Sequence, residues 1–335
     1  MINFCTLFDI NFITQGLTMY ESLKEHCDDF HLYIFAFCQD SYELLTKLNL
    51  EKVTVVSLNE FEDEELLRVK PTRTQGEYCW TCSSSTIKYC LEKFNLASCT
   101  YIDADLYFYS NPKVLIDEMG DKSVLITEHR YSPGYDQTEI SGKYCVQFIT
   151  FKNDKNGLNV LNWWRNACID WCYSRVEEGK FGDQKYLDDW AEKFEGVHVL
   201  ENLGGGVAPW NVGQYGVFKE NNKLKLVEID TQKKFEFVFY HFHSIKILES
   251  GKISPEAYNF YNIGFLKQNL IYKSYIKKLI EMSKKLNKIN NKILVIKKLP
   301  FKINFKKIRK FIIQAKFSKN GYLKIFGHYI VKPKN

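Results

Sequence analysis

Short apolar runs alternate with amphipathic helical patterns over roughly the first 130 residues, and this alternation constrains the fold more than any other feature. The strand-like runs include INFCTLF, FHLYIFAF, KVTVVSL, CTYIDADLYF and SVLITEH, and the helical patterns between them include FITQGLTMYESLKEHC and WTCSSSTIKYCLEKF. Alternation of this kind predicts an α/β fold in which helices cover both faces of a mostly parallel sheet. Ligands of such sheets bind beyond the carboxyl ends of the strands.

The later segments are less regular, but each still carries a recognisable pattern. KYCVQFITF and FEFVFYHFHSI predict strands, GLNVLNWWRNACIDWCYSRVEEG predicts one long helix that ends at a Gly, and FGDQKYLDDWAEKF predicts a second helix. In the first half, NEFEDEELL predicts a helix with an Asn cap and acids in its first turn.

Two acids stand one residue apart in CTYIDADLYFYSN, among apolar and aromatic residues. The alternation places Asp103 and Asp105 after CTYI, at the predicted ligand-binding edge of the sheet. Side chains at i and i+2 of an extended chain share a face, and paired carboxylates suit Mg²⁺ or Mn²⁺. The pair therefore predicts a metal site whose cation neutralises a diphosphate leaving group. Two solvated loop acids are the alternative.

Two further segments carry polar side chains that suit the same kind of site. His241 and His243 share a face of the predicted strand FEFVFYHFHSI, and Mn²⁺ accepts an imidazole ligand better than Mg²⁺ does. A core histidine is the alternative for either one. Asp183 and Gln184 lie near the start of the pattern GDQKYLDDW. Asp183 would cap the helix, or the two side chains would orient a sugar and stabilise an oxocarbenium-like transition state.

The glycine-rich stretch GGGVAPWN is predicted to be a loop. Its three consecutive glycines allow close approach of the backbone. Trp210 would stack on a sugar and Asn211 would hydrogen-bond to it, whereas a core Trp is the alternative.

Basic residues are concentrated near the C-terminus. Residues 265–335 contain 20 of the 46 Lys and Arg and one acid, a net charge of +19, whereas the first 264 residues contain 26 bases and 39 acids, a net charge of −13. This asymmetry predicts an acidic domain over 1–262 and a basic region over 263–335 that contacts a polyanion. IYKSYIKKLIEMSKKLNKI and NFKKIRKFIIQAKF fit amphipathic helices on an anionic membrane surface, or a solvated Lys-rich appendage. No nucleic-acid-binding signature accompanies the basic residues, so we expect no nucleic-acid partner.

The ten cysteines fit reduced thiols better than the disulfide framework of a secreted protein. No run reaches the ~18 apolar residues of a membrane span, and MINFCTLFDI lacks the features of a signal peptide. We therefore expect a cytoplasmic protein, peripheral on the inner face of the membrane. The pairs Cys79/Cys82 and Cys168/Cys172 suggest zinc by their spacing, but both lie in helical patterns where a free Cys acts as a small hydrophobe.

The order of several blocks resembles a family of bacterial nucleotide-diphospho-sugar transferases, GT-A type enzymes akin to glycosyltransferase family 8. These blocks are FCTLFDINFITQGLTMYESL, RTQGEYCWTC, YIDADLYFYSNP, GKYCVQF, GDQKYLDDW, APWN and FYHFHS, within roughly residues 2–262. The resemblance implies a Rossmann-like GT-A domain followed by a basic helical appendage. It also implies a nucleotide-sugar donor with UDP-sugar favoured, a glycan or glycolipid acceptor in surface-polysaccharide synthesis, and transfer that favours retention of configuration.

The resemblance also assigns residues of this chain to roles. It implies Mn²⁺ or Mg²⁺ on Asp103 and Asp105, with His241 as the favoured third ligand and His243 as the alternative. It places a nucleotide pocket at the end of the first strand and a basic residue near the donor phosphates. It also places the acid and the amide of GDQ beside the sugar. The predicted donor-binding residues are Thr6, Asp9, Asn11, Lys88, Asp103, Trp210 and Asn211, and the predicted catalytic residues are Asp183 and Gln184.

The sequence departs from the family pattern in GKYCVQF. Relatives usually have an Asn where this chain has Cys145 and a Gly where it has Gln147, and we expect the bulkier Gln147 to narrow a pocket and alter the donor sugar or the acceptor. Ser84 also stands where Pro is common. TLFDINFITQG lacks the glycines and Arg of a phosphate loop, which disfavours a nucleotidyltransferase. The other alternative is a non-enzymatic scaffold with a polyanion-binding tail.

Overall fold

The computed structural model describes residues 1–255, 261, 263–264 and 267–296, and short strands at 316–317, 322–325 and 328–331. The chain divides into two compact units, Met1–Lys297 and Lys298–Asn335. The smaller unit contains a three-stranded antiparallel sheet of Lys316–Phe317, Tyr322–Ile325 and His328–Val331. The larger unit contains all the site residues predicted from the sequence.

Strands and helices alternate through the first part of the larger unit, as predicted. In chain order they are β1 (Ile2–Phe8), α1 (Ile13–His26), β2 (Phe30–Ala36), α2 (Gln39–Leu48), β3 (Val53–Ser57), α3 (Leu58–Phe61), α4 (Glu64–Val69), α5 (Gln75–Lys93) and β4 (Ser98–Ile102). The α3 helix is capped by Ser57, whose side chain accepts from the Glu60 amide, and the α4 helix by Asp63, whose side chain accepts from the Leu66 amide. The predicted Asn cap at position 59 is therefore wrong.

The rest of the larger unit has shorter elements. They are β5 (Leu106–Phe108), α6 (Lys113–Asp117), β6 (Val124–Glu128), α7 (Thr138–Ser141), β7 (Tyr144–Lys152), α8 (Lys155–Asp170), α9 (Trp190–Lys193), β8 (Val197–Val199), β9 (Tyr215–Glu220), β10 (Lys223–Glu228), β11 (Lys234–Glu236), β12 (Phe239–His241), β13 (Ile245–Ile247), β14 (Ile253–Pro255) and α10 (Lys273–Asn287). A 3₁₀ turn, Lys185–Asp189, precedes α9, and a π-helical turn, Gln268–Tyr272, precedes α10.

A seven-stranded sheet in the order β3-β2-β1-β4-β7-β6-β8 forms the centre of the larger unit. All neighbouring pairs are parallel except those that β7 makes with β4 and β6. The predicted α/β fold with a mostly parallel sheet is therefore confirmed. Strand β1 shows why both faces are covered: Cys5 and Leu7 join the core under α5 and α8, while Phe4 and Phe8 join the core under α1.

Several predicted elements are interrupted in the structure. CTYIDADLYF forms two strands, β4 and β5, because Asp103 to Asp105 turn the chain and β5 leaves the central sheet to pair with β12. FEFVFYHFHSI is likewise divided among β11, β12 and β13, so His243 follows a strand instead of sharing a strand face with His241.

Helix α8 ends at Asp170, before the Gly predicted to end it. Trp171 is extended, and the rings of Trp171 and Tyr173 lie against the guanidinium groups of Arg73 and Arg175. Cys172 is thus outside the helix in which it was predicted. FGDQKYLDDWAEKF, predicted as one helix, forms only the 3₁₀ turn and the short α9.

The basic helix α10 belongs by its contacts to the larger unit. Its apolar residues Tyr275, Leu279 and Leu286 are fully buried, and Leu286 joins the core that includes α1. Its lysines are exposed. The predicted helical appendage is therefore present, but its apolar face packs on protein. The second predicted tail helix, NFKKIRKFIIQAKF, lies largely outside the described residues. Within the described part of the chain, every helix is too short or too polar to serve as a membrane span.

Candidate functional site

A cavity of about 590 Å³ lies at the carboxyl ends of β1 and β4, the edge at which a ligand site was expected. Eight of the predicted site residues line it: Asp9, Asp103, Asp105, Asp183, Gln184, Trp210, His241 and His243. Its lining does not include Thr6, Asn11, Lys88 and Asn211. The topology thus gathers residues from distant parts of the sequence into one cavity.

Asp103, Asp105 and His241 form the polar centre of this cavity. The Nε2 atom of His241 lies 3.1 Å from Oδ1 of Asp105 and 3.7 Å from Oδ2 of Asp103. One ligand atom from each of the three residues lies within 4.8 Å of the others, a spacing at which the three could hold a metal ion. Pairing of β12 with β5 sets this geometry, because it places His241 opposite Leu106, directly after the acidic turn.

Backbone hydrogen bonds fix the acidic turn. The Asp103 amide donates to the carbonyl of Gln147 at 3.0 Å, and the Asp105 carbonyl accepts from the Phe242 amide at 2.9 Å. The turn is therefore attached to β7 on one side and to the segment after β12 on the other. It brings both carboxylates to His241 although they are not on one strand.

The charges of the three groups depend on each other. Burial raises the pKa of Asp103 to about 6, and the nearby Asp105 carboxylate adds to this effect. Burial opposes ionisation of Asp105 too, but attraction to His241 outweighs it and lowers the pKa of that carboxyl. Burial also opposes the charged form of His241, yet Asp105 and Asp103 raise its pKa well above the usual value. Without a metal, a proton on His241 therefore compensates the negative charge of the two carboxylates. A bound divalent cation would compensate the same charge and leave His241 neutral.

His243 is less suited to the metal than His241. Its ring centroid is 5.7 Å from that of His241. Burial lowers the pKa of His243 to about 4, so its imidazole is neutral, and position rather than charge separates the two histidines. The group of mutually close ligand atoms contains His241 and not His243.

Asp183 is buried on another side of the cavity. Its Oδ2 accepts a 2.9 Å hydrogen bond from Oγ of Ser83, and its carbonyl accepts one from Nε1 of Trp164 at 2.9 Å. Burial raises the pKa of Asp183 to about 7. The side chain does not cap the following turn, whose first flanking residue is Gln184. The Nε2 of Gln184 donates to the carbonyl of Ser141 at 2.6 Å, which leaves its Oε1 as an acceptor.

Trp210 and Asn211 have different positions in their loop. Asn211 is 1% exposed, donates from Nδ2 to the carbonyls of His129 and Gly206, and accepts from the amide of Ala208, so its amide group holds the loop together. Trp210 lines the cavity, with its ring 5.4 Å from the ring of His241 in an edge-to-face arrangement.

The residues predicted near the nucleotide are only partly brought together. Asp9 lines the cavity and accepts from the amides of Asn11 and Phe12, while Asn11 is exposed and its side chain donates to Asp9. Thr6 is fully buried behind the cavity. Lys88 lies elsewhere, with its Nζ bound to Glu92 at 2.6 Å and to Asn162 at 2.9 Å.

Sequence reasoning missed most of the cavity's aromatic wall. The ring-bearing residues concerned are Phe12, Trp80, Tyr101, His129, Tyr131, Phe181 and Tyr261. The Nδ1 of His129 is buried without a hydrogen-bond partner among the described residues. His129 and Tyr131 follow the carboxyl end of β6, so the strand-end rule that located Asp103 also applies to them.

The two cysteine pairs whose spacing suggests zinc do not form a metal cluster among the described residues, in agreement with the expectation that they act as free thiols. Cys79 lines the cavity, whereas Cys82 is buried in the core. Cys5, Cys90 and Cys99 do have close Sγ atoms, within 4.8 Å of one another, but they are fully buried. Burial raises the pKa of the Cys90 and Cys99 thiols. Burial also opposes ionisation of Cys5, but hydrogen bonds with Cys90, Cys99 and Thr86 outweigh it and lower the pKa of Cys5 to about 5.

Comparisons with known proteins identify relatives and a shared fold. No protein-family model matches the chain. YfnD of Bacillus subtilis (strain 168) is 35% identical over 253 residues, which cover 73% of this chain and 78% of YfnD. YfnF of the same strain is 31% identical over 258 residues, which cover 75% of this chain and 84% of YfnF. Both relatives are described as uncharacterized.

Among solved structures, the galactosyltransferase LgtC in complex with donor and acceptor sugar analogues has a TM-score of 0.50 at 10% identity, with 83% of this chain and 95% of LgtC covered. The predicted GT-A fold is therefore confirmed.

Proposed function

We propose that this chain, which belongs to the family of the Bacillus subtilis proteins YfnD and YfnF, is a metal-dependent glycosyltransferase. It moves a hexose from a nucleoside-diphosphate sugar, with a UDP-sugar favoured, to a glycan or glycolipid acceptor of surface-polysaccharide synthesis. The observation that carries this proposal is the convergence of Asp103, Asp105 and His241 in a cavity at the ligand-binding edge of a GT-A sheet.

The donor set of the three residues fits a hard or borderline divalent cation. Two carboxylates and one imidazole suit Mn²⁺, and Mg²⁺ if the imidazole contributes little. When bound, such a cation neutralises the diphosphate and stabilises it as a leaving group. Asp103 and Asp105 supply the negatively charged ligands and His241 supplies the third ligand. The ring of Trp210 lines the cavity beside them.

Asp183 and Gln184 form the sugar side of the proposed site. The Asp183 carboxylate, when ionised, steadies positive charge that develops on the sugar ring. The free Oε1 of Gln184 accepts from a sugar hydroxyl, while its Nε2 keeps the residue fixed on Ser141. The likeness of GDQKYLDDW to retaining family members favours transfer with retention of configuration.

The nucleotide is proposed to bind beside Asp9, at the end of β1. The Asp9 carboxylate would accept from a ribose hydroxyl or a base N–H, and the ring of Phe12 lines the same end of the cavity. Thr6 and Asn11 support this corner from outside the cavity. Lys88 is left out of the donor site, because its ammonium group is bound to Glu92 and Asn162.

We also propose a peripheral position on the cytoplasmic face of the membrane, through residues 265–335. The support is the net charge of +19 on this segment and the exposed lysines of α10. Because the apolar face of α10 is buried, the attraction of this helix to anionic lipids is electrostatic, about 1 kcal/mol per Lys near the surface.

Thermal unfolding with added ligand tests the proposed function. UDP or GDP with Mn²⁺ should raise the midpoint of the wild-type protein, because a ligand that binds only the folded state stabilises it. EDTA should remove this shift, and Asp105→Asn should not show it. A midpoint that no nucleotide changes, together with tight binding to anionic vesicles, would favour the non-enzymatic scaffold.

A further inference from the structure

We propose that Gln147 is a positioning residue that orients His241 toward the metal and so sets the preference of the site for Mn²⁺ over Mg²⁺. This inference rests on the proposed function, since it concerns the metal site of that function. It also replaces the pocket-narrowing role expected from the sequence, because the Gln147 side chain is fully buried and is not part of the cavity lining.

Gln147 lies beside the acidic turn. It is on β7, and its carbonyl accepts the hydrogen bond of the Asp103 amide. Its backbone therefore holds one metal ligand while its side chain reaches another. Any shift of β7 at this point would move both ligands together.

The side-chain contact selects one ring nitrogen of His241 for the metal. Oε1 of Gln147 lies 2.7 Å from Nδ1 of His241. An amide oxygen can only accept, so Nδ1 carries the proton, and Nε2 is the ring atom directed at Asp103 and Asp105. Fixing the ring in this way is what outer partners of metal-bound histidines do, and the accepted hydrogen bond makes the imidazole a stronger ligand.

The glycine-rich loop packs closely on this part of β7. Gly206 has φ +87°, a left-handed backbone that favours glycine, and a Cβ there would lie 2.8 Å from Cγ2 of Thr127. The same Cβ would lie 3.4 Å from Nε2 of Gln147, an ordinary van der Waals distance, so the Gln147 amide is in contact with this loop.

The chemical consequence is a dependence on the kind of cation. Mg²⁺ relies on oxygen ligands, whereas Mn²⁺ gains more from an imidazole. Loss of the Gln147 contact therefore weakens Mn²⁺ binding more than Mg²⁺ binding. A residue with a merely structural role would lower both affinities alike or neither.

The test measures binding of Mn²⁺ alone, from the EPR signal of the free ion, with Mg²⁺ as competitor. Gln147→Met has similar length but no strong acceptor, and should weaken Mn²⁺ binding by about 10- to 100-fold, with a smaller loss for Mg²⁺. Gln147→Glu should restore Mn²⁺ affinity, because its carboxylate also accepts from Nδ1. Gln147→Asn, whose amide is too short to reach Nδ1, should repeat the loss with a polar side chain.

Thr150→Val is the matched control. It removes a buried hydrogen bond to Thr100 from the same strand without touching His241, and should leave Mn²⁺ affinity unchanged. Wild-type Mn²⁺ affinity in both Gln147→Met and Gln147→Asn would overturn this inference and leave the metal site standing. Absence of Mn²⁺ binding by the wild-type protein, or full binding by Asp105→Asn, would overturn the metal site and this inference together.

Discussion

At the scale of single residues, the cavity holds carboxyl groups whose ionisation is opposed by burial. Burial raises the pKa of both Asp103 and Asp183, and the Asp103 carboxylate adds to the effect on Asp183. The Tyr101 hydroxyl interacts with Asp103 and with Ser83, the residue that donates to Asp183. In the proposed function, a bound cation would reduce this excess of negative charge and so connect donor binding to the ionisation of Asp183.

The pKa of Asp183 leads to a prediction about pH. If ionised Asp183 stabilises the positive charge on the sugar, the rate of donor hydrolysis at saturating metal should rise with pH. The rising limb of the pH profile should lie near or below pH 7, because burial raises the pKa of Asp183 to about 7 in the metal-free protein. Ser83→Ala removes a hydrogen bond that favours the carboxylate, so it should move the limb to higher pH. Ser84→Ala removes a buried hydroxyl that has no hydrogen-bond partner in the described part of the chain, and this control should leave the limb in place. A pH profile that Asp183→Asn does not change would contradict this role.

The same shift has a consequence for stability. Because the pKa of Asp183 is higher in the folded protein, the folded state binds more protons than the unfolded state between about pH 4 and pH 7. Stability of the metal-free protein should therefore fall as pH rises through this window, and less so in Asp183→Asn. Urea unfolding at several pH values would measure this difference, and an equal slope in both proteins would contradict it.

At the scale of elements, the strand and helix patterns of the first half could be predicted because buried parallel strands are continuous apolar runs. The positions at which these elements are interrupted could not be predicted, because they depend on contacts with residues far away in the sequence. Strand β5 pairs with β12, which lies more than 130 residues further along the chain, and the ring of Tyr173, which follows α8, contacts the distant Arg73. The site residues in clear motifs were predicted, whereas Gln147 acts through His241, 94 positions away, which no local pattern reveals.

Close packing of the glycine-rich loop predicts the effect of one substitution. A Cβ on Gly204 would lie 2.2 Å from the carbonyl oxygen of Glu236, so Gly204→Ala must displace the loop that carries Trp210. We expect a loss of about 1–3 kcal/mol in the free energy of unfolding. Gly134→Ala, where a Cβ would meet nothing within 4 Å, is the control and should be nearly neutral. Equal unfolding midpoints in the two variants would contradict this account of the loop.

The exposed face of α10 gives a second prediction at this scale. Replacing Lys273, Lys278 and Lys284 by Gln should weaken binding to anionic vesicles by roughly 100-fold, at about 1 kcal/mol per Lys. The same positions changed to Arg should keep the binding, and neither variant should lower the unfolding midpoint, because all three side chains are exposed. Unchanged sedimentation of the Gln variant with the vesicles would remove α10 from the proposed membrane contact.

At the scale of the whole molecule, an acidic body and a basic C-terminal segment have opposite net charges, −13 and +19. This separation of charge agrees with the proposed function, in which the acidic part binds a soluble donor and the basic segment binds the anionic surface that carries the acceptor. The body carries the GT-A sheet and the Asp-Asp-His group.

Release of nucleoside diphosphate from a panel of nucleotide sugars, with Mn²⁺ present, tests the central claim most directly. We predict that at least one donor, with UDP-sugars favoured, is hydrolysed by the wild-type protein. EDTA should stop the reaction, and Asp105→Asn should lower its rate at least about 100-fold while keeping the unfolding midpoint. Metal-independent hydrolysis, full activity of Asp105→Asn, or no hydrolysis of any donor in the panel would contradict a metal-dependent glycosyltransferase.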